Sequence, residues 1–100
     1  MADLMRGTDI PLTFRNLPEG IVIKRLDISQ NDKIVITKTG EDFTIEGDVG
    51  VVELTQEDTL KLDETRLCEI QLSYYNANGK AKRTYISAVS ASKILYDGVI

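Results

Sequence analysis

The sequence contains no histidine, no tryptophan and a single cysteine, Cys68, among 100 residues. Without histidine there is no Ser-His-Asp or Cys-His catalytic group. There is also no histidine zinc ligand and no side chain whose ordinary pKa sits near neutrality. One cysteine cannot close an intrachain disulfide, so a disulfide scaffold is excluded and a reducing compartment is favoured. Aromatic residues are scarce, four Tyr and two Phe, so the core has to be built from Ile, Val and Leu. No apolar run approaches the roughly 20 residues a membrane helix needs. The segment Met1–Arg6 lacks the apolar stretch of a secretory signal. The expectation is synthesis in the cytoplasm, with no membrane partner.

The charge balance is acidic, net −4. The densest basic group, Lys80-Ala81-Lys82-Arg83, follows a turn signal and is a poor nucleic-acid footprint on an acidic chain. Nucleic acid is therefore not an expected partner. The hydrophobic share of 42% and charged share of 28% are those of an ordinary globular chain, which argues against wholesale disorder. The length suits one domain.

Turn signals recur every 8–12 residues and no helical period persists, which is the pattern of an antiparallel sandwich or barrel. The strand expected over Ile10–Arg15 places Ile10, Leu12 and Phe14 on one face, and Pro11 assigns it to an edge or an early position. Asn16-Leu17-Pro18-Glu19-Gly20 is a turn. Ile21–Ile28 reads as a strand whose two halves are out of phase, which a bulge near Lys24-Arg25 would reconcile. After the polar turn Ser29–Asp32, a strand over Lys33–Thr39 offers Ile34/Ile36 or Val35 to the core. Gly40-Glu41-Asp42 turns the chain, Phe43 and Ile45 are expected inward, Gly47-Asp48 turns again, and Val49–Leu54 is a further strand.

Thr55-Gln56-Glu57-Asp58 is a capping box, sufficient for about one helical turn, with Leu60 and Leu62 plugging the end of the sandwich. The longest alternating segment follows: Cys68, Ile70, Leu72 and Tyr74 share one face of a half-buried strand. Tyr75-Asn76-Ala77-Asn78-Gly79-Lys80 predicts a hairpin, with Asn78-Gly79 supporting the positive φ values such turns need. The return strand, about Lys80–Val89, has mixed faces, with Tyr85 and Val89 one way and Ile86 and Ala88 the other.

No catalytic, cofactor-binding or metal-ligating set emerges. The acids pair up in turns (Glu41/Asp42, Glu46/Asp48, Glu57/Asp58, Asp63/Glu64) without calcium-loop spacing. The glycines form no phosphate-cradling loop, and no base accompanies the Ser and Thr residues. Cys68, on an apolar face, reads as a small core hydrophobe. The feature left over is an apolar C-terminal stretch. Ile94, Leu95, Tyr96, Val99 and Ile100 pack back as a last strand or dock on another subunit, and Leu4 and Met5 raise the same question. These seven residues are the candidate interface. Residues 1–7 read as an N-terminal arm, 8–90 as the β domain and 91–100 as an apolar tail.

Short motifs carry a resemblance: Gly7-Thr8-Asp9-Ile10-Pro11-Leu12-Thr13-Phe14, then Leu54-Thr55-Gln56-Glu57-Asp58-Thr59-Leu60 leading to the alternating strand with Glu69-Ile70-Gln71-Leu72 and its Asn78-Gly79 hairpin, and a closing Gly98-Val99-Ile100. With them the chain resembles small Ig-like structural proteins of Gram-positive phages and prophages, and is similar to the N-terminal domain of phage baseplate upper proteins. The Leu54–Leu60 turn is also similar to the turn before the second cysteine strand of immunoglobulin domains, but the corner Tyr, partner Cys and core Trp are missing here. The resemblance implies an all-β, antiparallel Ig-like β-sandwich of about seven strands with one short helical turn near Thr55–Leu60. It further implies a non-enzymatic assembly role in a tail, baseplate or neck, in which the chain meets copies of itself and other phage structural proteins. The protein would then be made in the bacterial cytoplasm and carried in the virion. The alternative is a bacterial Ig-like adhesion or carbohydrate-binding module, whose aromatic platform would come from Tyr74, Tyr75, Tyr85 and Tyr96.

Overall fold

Backbone alternation and turn chemistry build two sheets. The computed structural model describes residues 4–84, 86–96 and 98–100. Strand accounts for 54% of these residues and helix for 8%, which makes the fold all-β, with one sheet curled into a half-barrel. Nine strands are described: β1 (Leu4–Met5), β2 (Ile10–Phe14), β3 (Val22–Gln30), β4 (Lys33–Thr39), β5 (Phe43–Glu46), β6 (Val49–Leu54), β7 (Leu67–Tyr75), β8 (Ala81–Arg83) and β9 (Ser87–Ser92). One α-helical turn, α1 (Gln56–Leu60), lies between β6 and β7, and a single 3-10 turn spans Gly40–Asp42. The larger sheet has the order β1-β9-β7-β3-β4, with β8 also paired to β7; the smaller has the order β2-β6-β5. The molecule measures 46 × 26 × 21 Å.

The alternation of β7 translates directly into burial. Cys68 and Leu72 are fully buried, Ile70 is buried, and Tyr74 is half-buried against the same cluster. Beside them in the same sheet lie Leu26 and Ile28 of β3 and Ile36 of β4, and the smaller sheet adds Val52 and Leu54 of β6 to the cluster. Ile10, Leu12 and Phe14 of β2 pack on this core, and Phe14 and Phe43 tilt against each other with ring centroids 6.0 Å apart. Each fully buried aliphatic contributes about 1.5–3 kcal/mol. Pro11 sits on an edge strand, as its missing donor requires.

Two bulges set the phase of the long strands. The β3–β7 register slips between Ile23 and Arg25, so Ile23 and Leu26 both point inward. This is the bulge expected near Lys24-Arg25. The second slip is in the β3–β4 pairing, where Ile28 faces Ile36 but Ser29 faces Ile34. Val35 is the extra residue and packs on the core, while Ile34 is left exposed. The expected inward pair Phe43 and Ile45 also divides. Phe43 packs on the core, but Ile45, opposite Gly50 near the hairpin end of the edge strand β5, is 46% exposed.

Three turns show how local chemistry closes the ladders. Asn31 and Asp32 both take positive φ (53° and 62°) between β3 and β4, as the two central residues of a type I′ hairpin must. The β7–β8 hairpin forms where Tyr75–Lys80 predicts it, with the positive φ taken by Gly79 (76°) alone. The Asn76 side chain organises it, accepting from the amides of Asn78 (3.0 Å) and Lys80 (2.9 Å). Beyond it the return strand breaks at Thr84, whose hydroxyl accepts from the Leu72 amide at 3.0 Å. The facing expected for Tyr85 lies outside the described residues.

The antiparallel expectation needs one correction: β1 pairs with β9 in parallel, Leu4 opposite Ala91 and Met5 opposite Ser92. The chain lays this segment alongside β9 and then passes through Gly7 (φ 70°) to β2 in the other sheet. The strand count is also higher than about seven, because the return strand divides and residues 4–5 add a rung.

Candidate functional site

The capping box forms as the sequence specifies. The Thr55 hydroxyl accepts from the Asp58 amide at 3.2 Å, and the Asp58 carboxylate accepts from the Thr55 amide at 3.0 Å. The carboxylate of Asp9, 47 residues away in sequence, accepts from the Gln56 amide at 2.8 Å. These contacts satisfy amides that the first turn of a helix cannot bond internally. Lys38 of β4 reaches Asp58 at 2.7 Å. Burial alone would push the Asp58 carboxyl up; the Lys38 ammonium and the Thr55 donors outweigh it and hold the group below the usual carboxylate range.

Both chain ends meet at this turn. The Arg6 guanidinium, nearly buried, donates to the carbonyls of Leu62 (2.5 Å) and Leu60 (3.1 Å) and pairs with Glu64 at 3.6 Å. Thr59 is fully buried. Its hydroxyl donates to the Thr8 carbonyl (2.9 Å) and accepts from the Thr8 amide (3.1 Å). Gly7 is needed where it lies: a Cβ there would come within 3.2 Å of Ile94 and 3.4 Å of Leu60, on a left-handed backbone. From the other end, the Ile100 amide donates to the Gln56 side-chain oxygen at 3.1 Å.

The seven candidate interface residues therefore divide. Leu4, 4% exposed, lies in the core, and Met5 is partly exposed on the outermost strand. Ile94 is half-buried beside Gly7 and Leu60. Leu95 (99% exposed), Tyr96 (68%), Val99 and Ile100 (91%) stand in solvent. Four apolar side chains thus project from a segment whose neighbours are fixed to α1.

A second apolar surface was not anticipated from the sequence. Ile21, Val22, Ile23 and Ile45, with Lys24, Thr39, Gly40 and Glu41, line an open groove of about 580 Å³. Val22 (51% exposed) and Ile45 are the exposed large aliphatics of its lining. The signal that could have found it is the phase conflict in β3, since the bulge that turns Ile23 inward leaves Val22 outside. Lys24 Nζ lies 5.6 Å from the ring centroid of Tyr75, the cross-strand partner of Val22.

Gln30 is a buried polar residue that sequence reasoning missed. Its amide nitrogen donates to the Asp63 (2.8 Å) and Arg66 (3.1 Å) carbonyls, and its oxygen accepts from the Asp63 amide (2.8 Å). It thereby holds the turn that aims β7. It also donates to Cys68 Sγ at 3.4 Å. Burial pushes the Cys68 thiol up, against the opposing pull of that hydrogen bond, so the sulfur behaves as core. The turn acids serve the backbone: Asp42 accepts from the Thr39 amide (2.8 Å) and Asp63 from the Thr65 amide (2.9 Å). Among the described residues no group of three or more His, Cys, Asp or Glu could hold a metal ion, and no helix is long and apolar enough to cross a membrane. Among the described residues the aromatic candidates are dispersed: Tyr74 packs on the core, Tyr75 lies under Lys24, and Tyr96 projects from the C-terminal segment; Tyr85 is outside the described residues. Comparison with family models, with curated proteins and with solved structures finds no match to this chain.

Proposed function

We propose that the chain is a non-enzymatic structural component of a phage or prophage particle, in its tail, baseplate or neck, and that it acts by joining subunits. The observation that carries this reading is the solvent-facing cluster Leu95, Tyr96, Val99 and Ile100 on a segment anchored at both sides of α1. Apolar side chains held out in this way lose solubility unless they are covered. The motif resemblance of residues 7–14, 54–60 and 98–100 to baseplate-type domains supplies the kind of assembly. In this reading the two sheets are an open variant of the Ig-like sandwich, with β1 as an added parallel rung. The carbohydrate-binding alternative has less behind it, because the described tyrosines are dispersed.

The experiment is prophage induction in a strain carrying the gene, purification of the particles by density, and mass spectrometry of the washed band. The expected result is this chain in the particle in stoichiometric amount. Its absence from intact particles, with the protein present in the lysate, rules the assignment out.

A further inference from the structure

We propose that the groove at the Val22 end of β3 receives the C-terminal segment, residues 93–100, of a second copy of this chain, so that copies join head to tail. The proposal rests on the assembly reading above and names its partner. The same molecule carries an apolar segment without cover, Leu95 to Ile100, and an apolar groove without an occupant, formed around Val22 and Ile45. The groove is flanked by β5, one of the two outer strands of the smaller sheet. An incoming extended segment could therefore add main-chain hydrogen bonds along that edge while its side chains fill the groove.

Charge argues for this occupant. The two charged residues of the groove are Lys24 and Glu41. In the tail, Lys93 and Asp97 bracket Ile94-Leu95-Tyr96. One orientation of the segment sets Lys93 against Glu41 and Asp97 against Lys24, while the reverse sets like charges together. Opposed signs on an apolar contact fix its register and exclude the wrong one.

Position decides the symmetry. The groove lies at the Val22 end of β3, and Gln30 at the other end touches Asp63. Asp63 and Ile94 line the same hollow beside Arg6. Eight strand steps separate the two ends, about 26 Å at the usual rise. Complementary surfaces at opposite ends of one chain make a heterologous contact, which closes into a ring or continues as a filament.

Sedimentation velocity across a concentration series tests this on the full chain, with thermal melts confirming that each variant folds. Glu41 and Lys93 are both exposed, so Glu41→Lys and Lys93→Glu should melt like the parent. Self-association beyond a dimer is expected, weakened about five-fold by either reversal and restored when the two are combined. Mixing Ile45→Cys with Leu95→Cys protein should also give an intermolecular disulfide under mild oxidation, while Cys68 remains buried. If deleting residues 94–100 abolishes association but the paired reversals have no effect and the cysteines do not cross-link, the groove is wrong and the assembly role of the tail stands. A monomer at every concentration overturns the head-to-tail contact, and particle composition then decides the broader reading separately.

Discussion

Replacing Thr59 by Val tests whether the N-terminal segment is latched to α1 by one buried hydroxyl. Valine matches threonine in shape, so packing is preserved and the hydrogen bonds alone are removed. The change leaves the Thr8 amide and carbonyl without the partners they have at 3.1 and 2.9 Å. An unsatisfied buried polar group costs about 1–3 kcal/mol. Thr8 is only half-buried, so water recovers part of that loss and the expected destabilisation is about 1–2 kcal/mol. In a domain of this size that lowers the melting temperature by about 5–15 °C. Thr59→Ser is the control: it keeps the hydroxyl and removes one methyl, worth about 0.8 kcal/mol. Urea unfolding gives both free energies, and amide exchange should show Thr8 losing protection in the Val variant but not in the Ser variant. A Val variant within about 0.3 kcal/mol of the parent, with Thr8 still protected, would refute the latch and leave Thr59 as simple packing.

Leu72→Asp places a carboxylate at a fully buried position of β7; it should cost more than about 4 kcal/mol and unfold the domain, and an unchanged melting curve would sink the face assignment. Gly40→Ala puts a Cβ 2.0 Å from the Ile23 carbonyl oxygen, a backbone atom. A destabilisation of about 1–3 kcal/mol is expected, and a neutral result in urea would show that the 3-10 turn can move away from β3. The Asp58 carboxyl lies lower in the folded chain than its ordinary value of 3.8. The folded state therefore binds that proton less readily than the unfolded one. The stabilisation is full above about pH 5 and fades as pH falls through the native value. Asp58→Asn should accordingly flatten part of the acid limb of a stability–pH curve, and an identical limb in the two proteins would exclude the Lys38 pair as its source.

How far the sequence could be read depended on the range of the contacts involved. The Thr55–Asp58 capping box and the Asn31-Asp32 turn use residues within three positions of each other, so their outcome is written locally. The alternation of β7 is equally local in pattern, and any sheet that covered one face would bury Cys68, Ile70 and Leu72. The bulge at Lys24 was visible as a phase error. What that bulge exposes was not, because Val22 becomes a groove residue only when β5 and the 3-10 turn stand beside it.

By itself, then, the sequence determined an aliphatic all-β domain, its capped helical turn, its main turns and the absence of histidine chemistry. All of these follow from residue type and short-range spacing. Only the tertiary structure decided that Leu4 is core while Leu95 and Ile100 are surface, for all three are plain aliphatics in terminal segments. It also decided that Arg6, Thr59 and Gln30 serve as buried connectors, since the partners that tie them to other segments lie 33 to 58 residues away in sequence. The parallel pairing of β1 with β9 joins the two ends of the chain, and no local pattern encodes which strand a two-residue segment will meet.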